Sequence, residues 1–381
     1  MPTLYIAVTN HGFGHATRAA SVASEVRHRC QMAGLPLKLI MATKAPGWLL
    51  DSYLIGDYIH RPVSFDVGVL QSDSLTMDKA ATLQSMQEIR AQQADLIAAE
   101  AAFLRAEKVD LVLADMPPLM GKIARAAGLP CWLMGNFGWD FIYRAWCDEW
   151  VEFGAIADWI GECFGHSDRT FRLPFHEPMP ASPNIMDVGL TGGVPAYSAD
   201  YLRGLLKRDI PTERTVLLTF GGLGLSAIPY QALSQFPNWQ FITFDRDAPD
   251  LPNLYKVNDR KMRPVDWMVA CDRIVSKPGY STFAEACLLD KGVITITREG
   301  FAEAQLLIEG IQDYAHHRIA EAADFFGGDW SFLTQDLLPP RKTEKLDKNG
   351  QAAIAAAITD YLKNTSSTAH QSVNRYDRLT G

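Results

Sequence analysis

The six cysteines of this 381-residue chain, at 30, 131, 147, 163, 271 and 287, include no CxxC pair and no ligand-like cluster. Neither a disulfide framework nor a zinc site is therefore expected. No apolar run approaches the roughly 20 residues of a membrane span, and residues 1–8 lack the basic start and apolar core of a signal peptide. The cytoplasm is the expected compartment, with peripheral membrane contact left open. Positive charge is also short, with 36 Lys and Arg against 44 Asp and Glu and a net charge of −8. Broad electrostatic attraction to nucleic acid or anionic lipid is thus unfavourable, and no nucleic-acid partner is expected. No short repeat is visible, and nothing in the sequence reads out an oligomeric state.

What is present is a globular composition, 48% apolar and 21% charged, on a chain long enough for two domains. Apolar, β-branched runs alternate with helical patterns: "LYIAV" (4–8), "LKLIMAT" (37–43), "VDLVLAD" (109–115) and "CWLMG" (131–135). Buried parallel strands joined by helical crossovers have this character. Residues 79–107 read as helix. From 166 to 195 the prolines and glycines of "LPFHEPMPASPNIMDVGLTGGVP" predict a linker. Strand-like runs resume at "TVLLTFGG" (215–222), "WQFITF" (239–244), "DRIVS" (272–276) and "GVITIT" (292–297). The expected architecture is α/β. It comprises a Rossmann-like domain at 1–165, the linker at 166–195, a second Rossmann-like domain at 196–340, a C-terminal helix within 341–364 that crosses back to the first domain, and a flexible tail at 365–381.

Two glycine-bearing turns in the second half suit a phosphate. In "LLTFGGLGLS" (217–226), Gly221, Gly222 and Gly224 allow close backbone approach, and Ser226 is placed to cap a following helix. An ordinary strand-to-helix turn explains this stretch equally well. The longer "DRIVSKPGYSTFAEACLLDKGVITITREGFAEAQLL" (272–307) says more. Gly279 makes a turn, and Ser281 and Thr282 open a helix whose amides and hydroxyls suit a pyrophosphate. Lys277 stands beside them to offset its charge. Glu285, one turn later, is positioned to accept from both ribose hydroxyls, as acids do in other nucleotide sites. Glu303 and Gln305 are candidates for sugar hydroxyls, although an exposed helix face would also account for them.

This block resembles the donor-nucleotide motif of GT-B glycosyltransferases, in particular the peptidoglycan N-acetylglucosaminyltransferase and the plant UDP-sugar transferases. The resemblance implies that Ser281 and Thr282 take the diphosphate, Glu285 the ribose, and Glu303 and Gln305 the donor hexose or pentose, with Met262 of "KMRPV" near the uracil. A second resemblance spans most of the chain: "TNHGFGHATR" (9–18), "NFGWDFIY" (136–143), "RLPFHEPMP" (172–180) and "KPGYSTFAEA" (277–286) are similar, in the same order, to the glycosyltransferase-like N-terminal half of plant L-arabinokinases. No counterpart of the kinase half's glycine- and serine-rich phosphate loop occurs, so kinase activity is not expected of these residues.

The GxGH after the first strand matches the place where the plant transferases carry their general base, which implies that His15 removes the acceptor's proton. A capping or packed histidine is the bland alternative. Asp115, ending "LVLAD", resembles the orienting acid, and a simple helix cap competes with that role. Asp140, in a loop expected to face the cleft, is the second candidate base. The acceptor-side loops comprise His11, Gly12 and Gly14 after the first strand, with Asn136 and Trp139 after "CWLMG". Most aromatics of 136–165 read as helix core. The expected function is a metal-independent, inverting glycosyltransferase using a nucleoside diphosphate sugar, UDP-linked, as donor and needing no cofactor. A nucleotide-sugar epimerase and a non-catalytic nucleotide-sugar-binding protein remain as alternatives.

Overall fold

The computed structural model describes residues 1–73, 75–222, 224–225 and 228–377, with side chains described as far as residue 365. The first sheet contains β1 (Thr3–Val8), β2 (Lys38–Ala42), β3 (Ile59–Arg61), β4 (Leu111–Asp115), β5 (Cys131–Gly135), β6 (Arg169–Arg172) and β7 (Ile185–Asp187), in the order β3-β2-β1-β4-β5-β6-β7. The second contains β8 (Thr215–Thr219), β9 (Gln240–Thr243), β10 (Leu254–Lys256), β11 (Arg273–Ser276), β12 (Gly292–Ile296) and β13 (His317–Ala320), in the order β10-β9-β8-β11-β12-β13. All pairings between these strands are parallel. Both sheets thus follow the doubly wound order, with a reversal between β1 and β4 and again between β8 and β11.

The strands are apolar on both faces because helices cover both sides. In β1, Leu4, Ile6 and Val8 enter one cluster and Tyr5 and Ala7 another, as a period of two requires. The first of these clusters also takes Leu217 of β8 and Ile274 of β11, so one apolar layer runs continuously from sheet to sheet. The aromatics of 136–165 mostly belong to the core of the first domain: Trp139, Tyr143, Trp146, Phe153, Trp159 and Phe164 are buried there.

Three features differ from the sequence reading. The stretch 166–195 supplies β6 and β7 to the first sheet before crossing over. Pro174, Pro178, Pro180 and Pro183 fall between those short strands and Pro195 follows the second, so no ladder hydrogen bond is lost. Residues 79–107 form two helices, Lys79–Ala91 and Gln93–Ala106, divided at Gln92. The last helix runs Gly350–Asp377, beyond the expected end at 364. It packs on the first domain through Ile354, Ile358 and Leu362, with the Tyr361 ring 5.4 Å from Trp132. The chain therefore crosses between sheets twice, and the crossings are tied where Leu190 N–H donates to the Asp347 carbonyl at 2.8 Å.

Candidate active site

A cavity of about 490 Å³ lies between the carboxyl ends of the two sheets, at both reversal points. Open parallel sheets bind ligands at such places. Gly12, at φ +57°, turns the chain out of β1 into the helix Gly14–Met32. His15 and Arg18, three residues apart, share one face of that helix. His15 Nδ1 lies 2.7 Å from Oδ1 of the fully buried Asp115 at the end of β4. Arg18 grips the same carboxylate through Nε and Nη2, each at 2.6 Å. Burial alone would raise the Asp115 carboxyl, but Arg18 and His15 hold it below the usual range. An ionised carboxylate can only accept, so its shorter contact assigns the proton to Nδ1 of His15 and leaves Nε2 as the basic nitrogen, while Arg18 Nη2, 2.9 Å from the same Nδ1, gives its hydrogen to the carboxylate at 2.6 Å.

The network reaches the second domain. Arg18 Nη1 donates to Asn136 Oδ1 at 2.9 Å, and Asn136 Nδ2 donates to Glu303 Oε1 at 2.8 Å. His11 stands beside His15, its ring stacked on Phe301 at 5.7 Å and edge-on to Trp139 at 5.1 Å. Its Nδ1 accepts from Val69 N–H at 3.2 Å. Burial, together with His15, Arg298 and Lys277 nearby, holds the His11 imidazolium pKa well below its ordinary value, so this ring is neutral.

On the opposite wall the helix Tyr280–Leu288 starts at Gly279, which has no capping side chain. Its first-turn N–H groups and Thr282 border the cavity with Lys277. Burial, and then the neighbouring Arg298, lower the Lys277 amine to about 7 against the pull of Glu303. Burial raises Glu285 to about 7, although Gly193 N–H donates to its Oε1 at 2.9 Å and Arg263 lies close. Gly221, Gly222 and Met262 complete this wall. A Cβ on Gly222 would run into the Phe13 ring, so glycine is needed for the two loops to meet.

Several expected site residues are engaged by other partners or lie off the cavity. Ser281 lines the cavity, but its hydroxyl donates to the Gly14 carbonyl at 2.8 Å and ties the two domains together. Gln305 is exposed and donates to Glu309 Oε1 at 2.9 Å. It lies two residues from the cavity-lining Glu303 on one helix, a spacing that sends side chains to different faces. Asp140 is buried at the start of the helix Trp139–Arg144, with its carboxylate near Gly138 and Gly161 instead of the cavity. An acid there satisfies the helix end. Trp139 is fully buried and donates to Thr9 Oγ1 at 2.8 Å, supporting the histidines from behind. Asn136 is the buried link described above, and Gly224 is off the cavity wall. Ser226 lies outside the described residues.

Arg18 and Arg298 escaped the sequence reading. The first had a signal, the i, i+3 spacing from His15 in "HATR"; the second, in "ITREGF", had none. Among the described residues no group of three or more His, Cys, Asp or Glu is placed to hold a metal ion. No helix among them is long and apolar enough to cross a membrane.

Solved structures of glycosyltransferases share this architecture. The glycotransferase of kitacinnamycin superposes with a TM-score of 0.57 at 13% identity, covering 96% of this chain and 94% of that one. A UGT transferase from Siraitia grosvenorii, in complex with UDP, gives 0.53 at 13% identity over 100% of both chains. MurG of Acinetobacter baumannii gives 0.51 at 14% identity over 94% and 99%. The chain has the GT-B fold. By sequence it is 30% identical over 331 residues to the L-arabinokinase of Arabidopsis thaliana, which takes in 85% of this chain. The chain spans 31% of the length of that relative. No protein-family model matches.

Proposed function

We propose that the protein is a glycosyltransferase moving a hexosyl or pentosyl group from a UDP-linked sugar to an acceptor hydroxyl. The observation that carries this reading is the placement of the His15–Asp115 pair opposite an uncapped helix start, with one cavity between them. UDP is taken as the nucleotide because a GT-B relative of this shape binds it. The helix start with Thr282 and Lys277 holds the diphosphate, Glu285 the ribose hydroxyls, and Glu303 a sugar hydroxyl, with Met262 beside the base. Nε2 of His15 accepts the acceptor's proton as its oxygen attacks the anomeric carbon. The diphosphate leaves from the opposite face towards the helix amides, so the configuration inverts. Asp115 keeps the imidazole in the required tautomer and stabilises its protonated form.

The test combines calorimetric titration with UDP and a search for UDP-sugar consumption across sugar, lipid and small-alcohol acceptors. UDP binding with acceptor-dependent consumption supports transfer. Rearrangement of the UDP-sugar without any acceptor would make the protein an epimerase. Tight UDP binding without turnover across the panel would make it a binding protein, and no binding at all rejects the nucleotide assignment.

A further inference from the structure

Arginine in this molecule has a repeated use. Arg18 holds Asp115 through Nε and Nη2, Arg263 holds Asp266 at 3.0 and 2.6 Å through the same two atoms, and Arg172 holds Asp187 at 2.7 and 3.1 Å likewise. The Nε–Nη2 edge of a guanidinium presents two parallel N–H groups spaced for the two oxygens of one carboxylate. Arg298 lines the cavity and is only 7% exposed, yet among the described residues neither its Nε nor its Nη2 has a hydrogen-bond partner. A desolvated cation with two unpaired donors is costly until a partner reaches them.

Its position narrows what that ligand is. Arg298 sits on the loop between β12 and the helix Glu303–Tyr314, one strand along the sheet from the Gly279 turn. Its guanidinium lies 3.9 Å over the Phe301 ring, the same ring on which His11 stacks. That places it beside His11 and Glu303, on the flank of Lys277 away from the β8 loop. A diphosphate at the helix start already has the amides and Lys277 for its charge. Glu303, the acid whose charge acts on Arg298, is hydrogen-bonded to Asn136 instead.

We infer that Arg298 binds the carboxylate of the transferred sugar, so that the donor is a nucleoside diphosphate uronic acid. This rests on the nucleotide-sugar reading of the cavity and names the sugar class within it. Uronates differ from the matching hexoses only at C6, carboxylate against hydroxymethyl, which isolates the contact.

Titration calorimetry with UDP-glucuronate, UDP-galacturonate, UDP-glucose, UDP-galactose and UDP, on the unmodified protein and Arg298→Gln, decides the matter. A uronate should bind the unmodified protein about tenfold or more tightly than its hexose, the size of one charge-assisted contact. Arg298→Gln should erase that difference and leave UDP itself bound as before. Equal affinity for uronate and hexose in the unmodified protein overturns the inference, and that comparison stands even if the variant misfolds. Equal weakening of UDP and every UDP-sugar in Arg298→Gln overturns it too, by assigning the arginine to the diphosphate. Failure of UDP to bind at all removes the nucleotide-sugar reading itself, an outcome distinct from binding without preference.

Discussion

The two sheets share one strand order, but their reversal points treat charge in opposite ways. At the β1/β4 end the buried groups satisfy one another: Asp115 is gripped by Arg18 and His15, and Arg18 goes on to Asn136. At the β8/β11 end and on the adjoining β12 loop they are left in tension, with Glu285 raised and Lys277 lowered to about 7 and Arg298 short of partners. Fixed, fully bonded dipoles cost no reorganisation during reaction, which suits a catalytic base. Incompletely paired buried groups cost stability until a ligand supplies the missing partner, which suits a binding site. On the proposed function, one fold motif serves chemistry on one side and capture on the other.

The sharpest way to break this contrast is Asp115→Asn. It leaves Arg18 as a buried guanidinium without its counter-charge, an event that costs about 3–5 kcal/mol, and removes the carboxylate that orients His15. Urea midpoints should fall accordingly and transfer should collapse, while UDP still binds whatever fraction remains folded. A midpoint within about 0.5 kcal/mol of the parent, the range of an ordinary surface change, would show that the first reversal point is not the closed network described.

His15→Ala separates chemistry from stability. It should lower turnover by about 10² to 10⁴-fold, the usual share of a general base, with the circular dichroism spectrum and UDP affinity unchanged. Transfer at the parent rate would move the base elsewhere. Asp140 is a poor successor because its carboxylate lies away from the cavity.

The second reversal point should show the opposite pattern, with function lost and stability kept. Glu285→Gln should weaken UDP by about 1.5–3 kcal/mol if the carboxylate accepts from the ribose. Since burial raises Glu285 from 4.5 to about 7, the folded state holds more protons than the unfolded chain across that interval. Its contribution to stability therefore falls as pH rises from 4.5 to 7. Glu285→Gln lacks this loss, so at pH 8 it should resist urea at least as well as the parent. Lys277, lowered from 10.5 to about 7, has the reverse sign: the folded state holds fewer protons above 7, and stability is recovered as pH rises towards 10.5. The urea midpoint of the parent should climb relative to Lys277→Met over that interval.

The legibility of the sequence follows the same division. The central strands β1, β4, β5, β8, β11 and β12 are apolar on both faces, and their runs stand out. Flanking strands such as β3 ("IHR"), β6 ("RTFR") and β10 ("LYK") are short and carry polar residues, so they leave no run to find. Within the site, the glycine turns marked the loops, and "GFGH" and "KPGYST" led to His15, Lys277 and Thr282. The linking role of Asn136, which the sequence placed only in an acceptor-side loop, the position of Arg298 and the tie between Ser281 and Gly14 depend on contacts from distant segments, which no local pattern encodes. Gln305, carried over with Glu303 by resemblance, lies off the cavity because an i, i+2 spacing turns it to another face of the helix.

That last difference gives the smallest expected effect. Gln305→Ala removes one exposed i, i+4 hydrogen bond to Glu309, worth about 0.2–0.5 kcal/mol on a helix. UDP-sugar affinity, turnover and urea midpoint should all stay close to the parent. Glu303→Gln, two residues away, replaces the acceptor of the Asn136 amide at the point where the two halves of the cavity touch. It should reduce turnover of the UDP-sugar while UDP alone binds normally, because UDP carries no sugar for Glu303 to meet. If Gln305→Ala instead produced the turnover loss and Glu303→Gln did not, the helix Glu303–Tyr314 would have to present its other face to the donor. The contrast between a satisfied and an unsatisfied reversal point would then have to be redrawn around a different set of side chains.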